Sequence, residues 1–307
     1  MHRRHRSGRA GRILSWALLA GIAAAPAALA QPMQLPPIVA PPSEDHHVGK
    51  VILVELITPD LAAAERFYGG IFGWTFREIE AGRTKYSEAL LNGRPVAGLF
   101  QRAIPRGDRR QPEWLSFFAV RDVDAAQQLA VQRGAKLLFG PRSFPNRGRE
   151  AVLADPQGAV FAILASSSGD PPDFLADPGD WIWTSLITSD PNQAAGFYRT
   201  LFDYDVFELP SGSAGTHLLM ASNNYARASI NSMPPNSTEA HPSWLNYVRV
   251  DDAEKTTARA VALGGRVLVA PHEDRQGGKL ALIADPDGAP FGVLEWPASK
   301  SKTVSTR

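Results

Sequence analysis

Cysteine is missing from all 307 residues, which excludes disulfides, thiol nucleophiles and thiolate-bound metals together. A chain of this length does without such staples because it can bury apolar surface in cores of ordinary domain size. No basic patch with interleaved aromatics occurs, so nucleic acid is not an expected partner. Neither a glycine-rich phosphate cradle nor a nucleophile triad is present. The apolar run Ile13 to Ala24 is short for a membrane span, and Pro26 interrupts its end. With 44% hydrophobic and 21% charged residues, disordered bias is confined to the two ends.

Arg3, Arg4, Arg6, Arg9 and Arg12 precede that apolar run, and Ala28-Leu29-Ala30 supplies small residues before a cleavage site. Residues 1–30 read as a secretory signal, so the mature protein is expected to be exported, periplasmic or secreted, with no membrane span left. Cleavage removes five of the 32 basic residues and none of the 31 acidic ones, turning a formal net charge of +1 into −4. Residues 31–49 follow, rich in proline (Pro32, Pro36, Pro37, Pro41, Pro42), and read as an extended tether.

The chain then says the same thing twice at an offset of 130 residues. Asp60 recurs as Asp190, Phe67-Tyr68 as Phe197-Tyr198, Trp114 as Trp244, Asp122 as Asp252, and Asp155-Pro156-x-Gly158 as Asp285-Pro286-x-Gly288. A constant offset over so many landmarks means two tandem domains of one fold. Their expected bounds are 50–165 and 181–296, with a linker at 166–180 and a polar tail at 297–307. Within each copy a β-branched run leads to an Asp-capped segment with helical apolar spacing (Ala64, Phe67, Tyr68, Ile71, Phe72), then to three short strands. The pattern restarts at Glu113, and Asp155-Pro156-Gln157-Gly158 has the order of a type I turn. The fold class is α+β, with two βαβββ modules per domain.

These residues resemble the vicinal oxygen chelate superfamily, which includes glyoxalase I, bleomycin-resistance proteins, fosfomycin-resistance enzymes and extradiol dioxygenases. The resemblance rests on Thr58-Pro59-Asp60, Phe67-Tyr68, Ile71-Phe72-Gly73-Trp74 and Asp155-Pro156-x-Gly158, with their second set Thr188-Ser189-Asp190, Phe197-Tyr198, Leu201-Phe202 and Asp285-Pro286-x-Gly288. It implies that each domain's paired modules form an open-sided cup. It also implies a divalent metal held by His, Gln or Glu from the first, fourth, fifth and eighth strands, polarising two neighbouring substrate oxygens. By motif spacing those positions hold Leu53 and Trp183, Ser116 and Asn246, and Ala162 and Gly292, while the fourth strands contain neither histidine nor carboxylate. No metal or other cofactor is therefore expected, and a divalent ion in a nonstandard site is the alternative.

Strand periodicity puts Glu55 on the face of Leu53, into the cup, as either an acid-base group or a carboxylate satisfied by an arginine or backbone donors. Its repeat counterpart is Ser185. Trp114 and Trp244, sharing the parity of Ser116 and Asn246, are expected to line the cups as walls for a planar ligand or as filler. Trp183 adds bulk enough to close the second cup, and His217 either enters that cup or faces solvent. His46 and His47 read as exposed, His241 and His272 as loop residues, Glu295 as pointing away from the cup, and Asp252 as a helix start. The expected function is metal-independent binding of a small molecule in a cup or between domains, in the manner of bleomycin-resistance proteins. Two alternatives stand: an enzyme of the superfamily (lyase, isomerase or dioxygenase) using a nonstandard metal or Glu55, and an interaction module with both cups closed.

Overall fold

The computed structural model describes residues 33–81, 84–103, 112–210, 215–233, 241–274 and 277–296; the expected signal segment and polar tail lie outside them. The first half runs β1 (Val51–Thr58), α1 (Leu61–Phe72), β2 (Thr75–Ala81), β3 (Thr84–Leu91), β4 (Arg94–Gln101), β5 (Glu113–Ala119), α2 (Val123–Gln132), β6 (Lys136–Phe144), β7 (Gly148–Ala154) and β8 (Val160–Ser166). The second repeats it: β9 (Trp181–Thr188), α3 (Pro191–Phe202), β10 (Asp205–Glu208), β11 (His217–Ser222), β12 (Tyr225–Ser232), β13 (Ser243–Val250), α4 (Ala253–Ala262), β14 (Arg266–Glu273), β15 (Lys279–Ala284) and β16 (Pro290–Glu295). Each half forms one open eight-stranded sheet, ordered β2-β3-β4-β1-β5-β8-β7-β6 and β10-β11-β12-β9-β13-β16-β15-β14. These are two tandem βαβββ pairs. Among the described residues no helix is long and apolar enough to cross a membrane.

The four helices among the described residues each start where an aspartate accepts from first-turn amides: Asp60 from Ala63, Asp122 from Asp124 and Ala125, Asp190 from Gln193, and Asp252 from Lys255. Helix α1 stops at Gly73, whose φ of 72° suits a residue without a Cβ. The Asp155 turn closes as expected, with Gly158 N–H donating to the Asp155 carbonyl at 3.0 Å, between antiparallel β7 and β8.

The main cores lie on the helix-bearing faces and are shared between halves. Phe67, Tyr68 and Phe72 of α1 bury with Ala260 of α4 and Phe291 and Val293 of β16, while Phe197, Tyr198 and Phe202 of α3 bury with Ala130 of α2 and Phe161 of β8. Polar links cross in the same reciprocal way. Tyr68 accepts from the Trp114 indole at 2.8 Å and donates to Asp285 at 3.0 Å; Tyr198 accepts from Trp244 at 2.9 Å and donates to Asp155 at 3.0 Å. Burial, then the neighbouring aspartate's charge, pushes both phenols well above their ordinary range, so they act here as neutral donors. Ser116 donates to its own repeat counterpart, Asn246, at 2.9 Å, which places a local twofold axis between them.

Candidate functional site

Cross-strand partners share a face, so strand register shows which side chains reach each helix-free face, the cup of the expected fold. In the first sheet Leu53 pairs with Phe117, Glu55 with Leu115 and with Gly98, and Phe117 with Ala162. Trp114 and Ser116 therefore face the other way, into the shared core, and the hydrogen bonds given above hold them there. Trp244 and Asn246 do likewise, because Trp183 pairs with Tyr247 and Ser185 with Leu245. The expectation that these four line the cups is corrected by one residue of register, a shift that turns every side chain of a strand over. Glu55, Trp183, Ser185 and, by its pairing with Asn231 on β12, His217 are the expected site residues that do sit on cup faces.

The first cup holds a buried charged network. Glu55 is 5% exposed, and its Oε1 accepts from Arg147 Nη1 and from the Tyr86 hydroxyl, both at 2.9 Å. Arg147 comes from the turn between β6 and β7, is 1% exposed, and also donates to the Tyr86 oxygen at 3.0 Å. This is the arginine-satisfied reading of Glu55, with a partner 92 residues along the chain. Burial, reinforced by the Glu55 carboxylate, raises the Tyr86 phenol far above its usual range. Glu150 on β7 is pushed up to about 8, first by burial and then by the negative charge of Glu55, with Arg147 and Arg142 acting in the opposite direction. One of its carboxyl oxygens, Oε2, is buried without a hydrogen-bond partner. Glu88, also buried, is paired with Arg77.

Residues 33–49 do not behave as a free tether. Leu35 is 3% exposed and clusters with Tyr86 and Phe144, and Ile38 packs against the cup-face cluster that includes Leu115, Phe117 and Leu164. Arg147 Nε donates to the Pro36 carbonyl at 2.8 Å, and Ser168 Oγ accepts from the Ile38 and Val39 amides at 3.0 and 3.1 Å. Burying one leucine side chain contributes roughly 1.5–3 kcal/mol, so this strap is held rather than merely nearby. Proline favours extended backbone in a groove as much as in a linker. The missed signal was the set of apolar residues, Met33, Leu35, Ile38 and Val39, placed among the prolines.

The second cup has no counterpart of the Glu55–Arg147 network, and among the described residues its apolar cluster is not covered in this way. Its cluster, centred on Leu245, Tyr247 and Leu294, draws only on the sheet's own strands, with Trp183, Ile187, Leu280 and Leu282 left half-buried. The Trp183 indole donates to Ser229 at 3.0 Å, and Ser185 and Ser229 share a 2.7 Å hydroxyl contact. Burial pushes the Tyr247 phenol up to about 12, against a hydrogen bond to Ser185 that acts to lower it. Half-buried His217 and Asn231 face each other at the end of β11 and β12. Trp183 thus stands half-buried on this face, tied to Ser229.

A metal of the kind implied by the resemblance does not fit these residues. Cup-facing positions on the first, fifth and eighth strands hold Leu53, Glu55, Leu115, Phe117 and Ala162 in one half and Trp183, Ser185, Leu245, Tyr247 and Gly292 in the other, and the one carboxylate among them, Glu55, is taken up by Arg147 and Tyr86. Among the described residues no three His, Cys, Asp or Glu side chains converge. Of the remaining candidates, Glu295 accepts from the Ala253 amide at 3.1 Å, at the start of α4 and away from the cup. His46, His241 and His272 are exposed.

Comparison with known proteins places this geometry among relatives. Residues 46–163 match a family model described as the glyoxalase/bleomycin resistance protein/dioxygenase superfamily, and residues 183–294 match one described as a glyoxalase-like domain. CFP32 of Mycobacterium tuberculosis, whose name carries the word glyoxylase, is 28% identical over 257 residues, covering 83% of this chain and 98% of that protein. The anthracycline biosynthesis protein DauV of a Streptomyces species is 31% identical over 254 residues, covering 78% of this chain and 91% of its own. The Mn(II)-bound glyoxalase of Novosphingobium aromaticivorans superposes with a TM-score of 0.56 at 16% identity, over 81% of this chain and 83% of that one, a likeness of fold.

Proposed function

Since this chain belongs to the glyoxalase/bleomycin resistance protein/dioxygenase superfamily, we propose that it is an exported, metal-independent binding protein that takes a small, largely apolar molecule in its second cup. The observation that carries this reading is the half-buried wall of Trp183, Ile187, Leu280 and Leu282, which has no chain segment packed over it among the described residues. Beside that wall stand Ser185, Ser229, Asn231 and His217, a few convergent polar groups of the sort that orient a ligand in an apolar pocket. Metal independence is supported by the chemistry of the cup faces: Glu55 and Glu88 are engaged by Arg147 and Arg77, no three acidic, thiol or imidazole side chains converge among the described residues, and the second face offers mainly alkyl, indole, phenol and hydroxyl groups. Export rests on the arginine-led apolar segment of residues 1–30.

The enzyme reading through Glu55 finds less support, because that carboxylate is spent on Arg147 and Tyr86 and lies under the strap. The closed-cup reading describes the first half alone. Screening planar apolar compounds by thermal shift, followed by titration of Trp183→Ala, tests the proposal: hits should bind wild type and weaken at least tenfold in the variant. Affinity indifferent to Trp183, or one tightly held divalent ion per purified chain whose chelation abolishes binding, would overturn it.

A further inference from the structure

The first cup holds polar machinery that a sealed core does not need. Arg147 is the largest wholly buried side chain, and one of its donors ends on a backbone carbonyl from a segment outside the sheet. Glu150, on the same face, is 6% exposed and keeps Oε2 unpartnered, although burying such an atom is costly unless something can meet it. The strap that covers these groups is laid down like a ligand. It offers an apolar branch (Leu35) to the cluster of Tyr86 and Phe144, a second (Ile38) to the cup-face cluster around Phe117, and one carbonyl oxygen to Arg147. The second sheet shows that the fold tolerates a cup without such cover.

We propose that the first cup is a second ligand site, kept shut by residues Met33–Val39, which occupy it as a built-in competitor. Its ligand is a small, mostly apolar molecule bearing a carboxylate or ketone oxygen, which takes the place of the Pro36 carbonyl on Arg147 Nε while its apolar part replaces Leu35. Glu150 is the second polar anchor. Occupancy is set by how often the strap lifts, since apparent affinity falls in proportion to the open fraction. This site is independent of the second cup, and either can exist without the other.

The test uses the full mature chain and 8-anilinonaphthalene-1-sulfonate, an apolar probe with an anionic oxygen group, followed by fluorescence and calorimetry. Leu35→Asp places a carboxylate in the apolar seat and releases the strap. The expected result is one additional probe site per chain relative to wild type, with at least tenfold tighter apparent binding, and a tenfold loss when Arg147→Lys is added to the same background. A folded Leu35→Asp protein with no added site, or an added site indifferent to Arg147→Lys, overturns the proposal. Should Leu35→Asp fail to fold, Leu35→Cys in this cysteine-free chain decides. Labelling of its single thiol much faster than global unfolding supports an opening strap, whereas labelling only at the unfolding rate overturns it.

Discussion

The two cups share a backbone plan and a register but almost no chemistry. Glu55 in one becomes Ser185 in the other, and Glu150 becomes Leu280 at the repeat offset. Tyr86, opposite Phe100, corresponds by its pairing to His217, opposite Asn231. Arg147, the hub of the first network, becomes Gly277. The cup with the Glu55–Arg147 network is the one covered by the chain's own strap, and the other is left, among the described residues, with a half-buried aromatic wall. A duplicated scaffold can thus be held fixed on its helix face while its two opposite faces diverge freely, because the residues that unite the halves point only one way.

The largest expected effect comes from breaking the charged hub. Arg147→Ala leaves Glu55 buried without its cation and the Pro36 carbonyl without a donor, so a loss of about 3–5 kcal/mol in denaturant unfolding is expected. Next comes pH. Glu150 has its carboxyl raised from 4.5 to about 8, so the folded state binds a proton that the unfolded state gives up; the resulting stability is full below about 4.5 and is lost as pH rises through about 8. On the order of 2–4 kcal/mol should vanish between those limits, and Glu150→Gln should flatten that part of the stability profile. Leu280, the repeat counterpart of Glu150, adds no such dependence from the second cup. Trp114→Phe and Trp244→Phe should each cost about 1–2 kcal/mol, nearly equally, since each removes one donor to a buried tyrosine. Unequal costs would show that the two links across the boundary are not equivalent. Smallest is Ser185→Ala, expected to cost about 1 kcal/mol: the Tyr247 phenol loses the Ser185 hydroxyl, while Ser229 keeps the Trp183 indole as partner.

The fold was legible because the repeated landmarks are the very residues that cross between halves. Phe-Tyr, Trp and Asp-Pro-x-Gly supply the donors and acceptors of the two Trp–Tyr–Asp links. Facing was harder to read. Both sides of β5 are apolar and buried, with Leu115 and Phe117 on one and Trp114 and Phe118 on the other, so alternation carries no phase and motif spacing slipped by one. The Glu55–Arg147 pair was invisible because nothing in sequence spacing joins a strand to a turn that far along the chain. The strap was hidden by composition, which does not distinguish a segment resting in a groove from one crossing open solvent.

Excising one half would break both Tyr–Asp bonds and strand one member of each. The first half carries Tyr68 and Asp155, yet each is satisfied from across the boundary, by Asp285 and Tyr198 respectively. An isolated half would bare its aromatic helix face and would find the missing partners only on a twin of itself, related by the twofold axis that now runs between Ser116 and Asn246. One polypeptide thus supplies, in its two unlike copies, the reciprocal partners that a symmetric pair of identical halves would have to supply to each other.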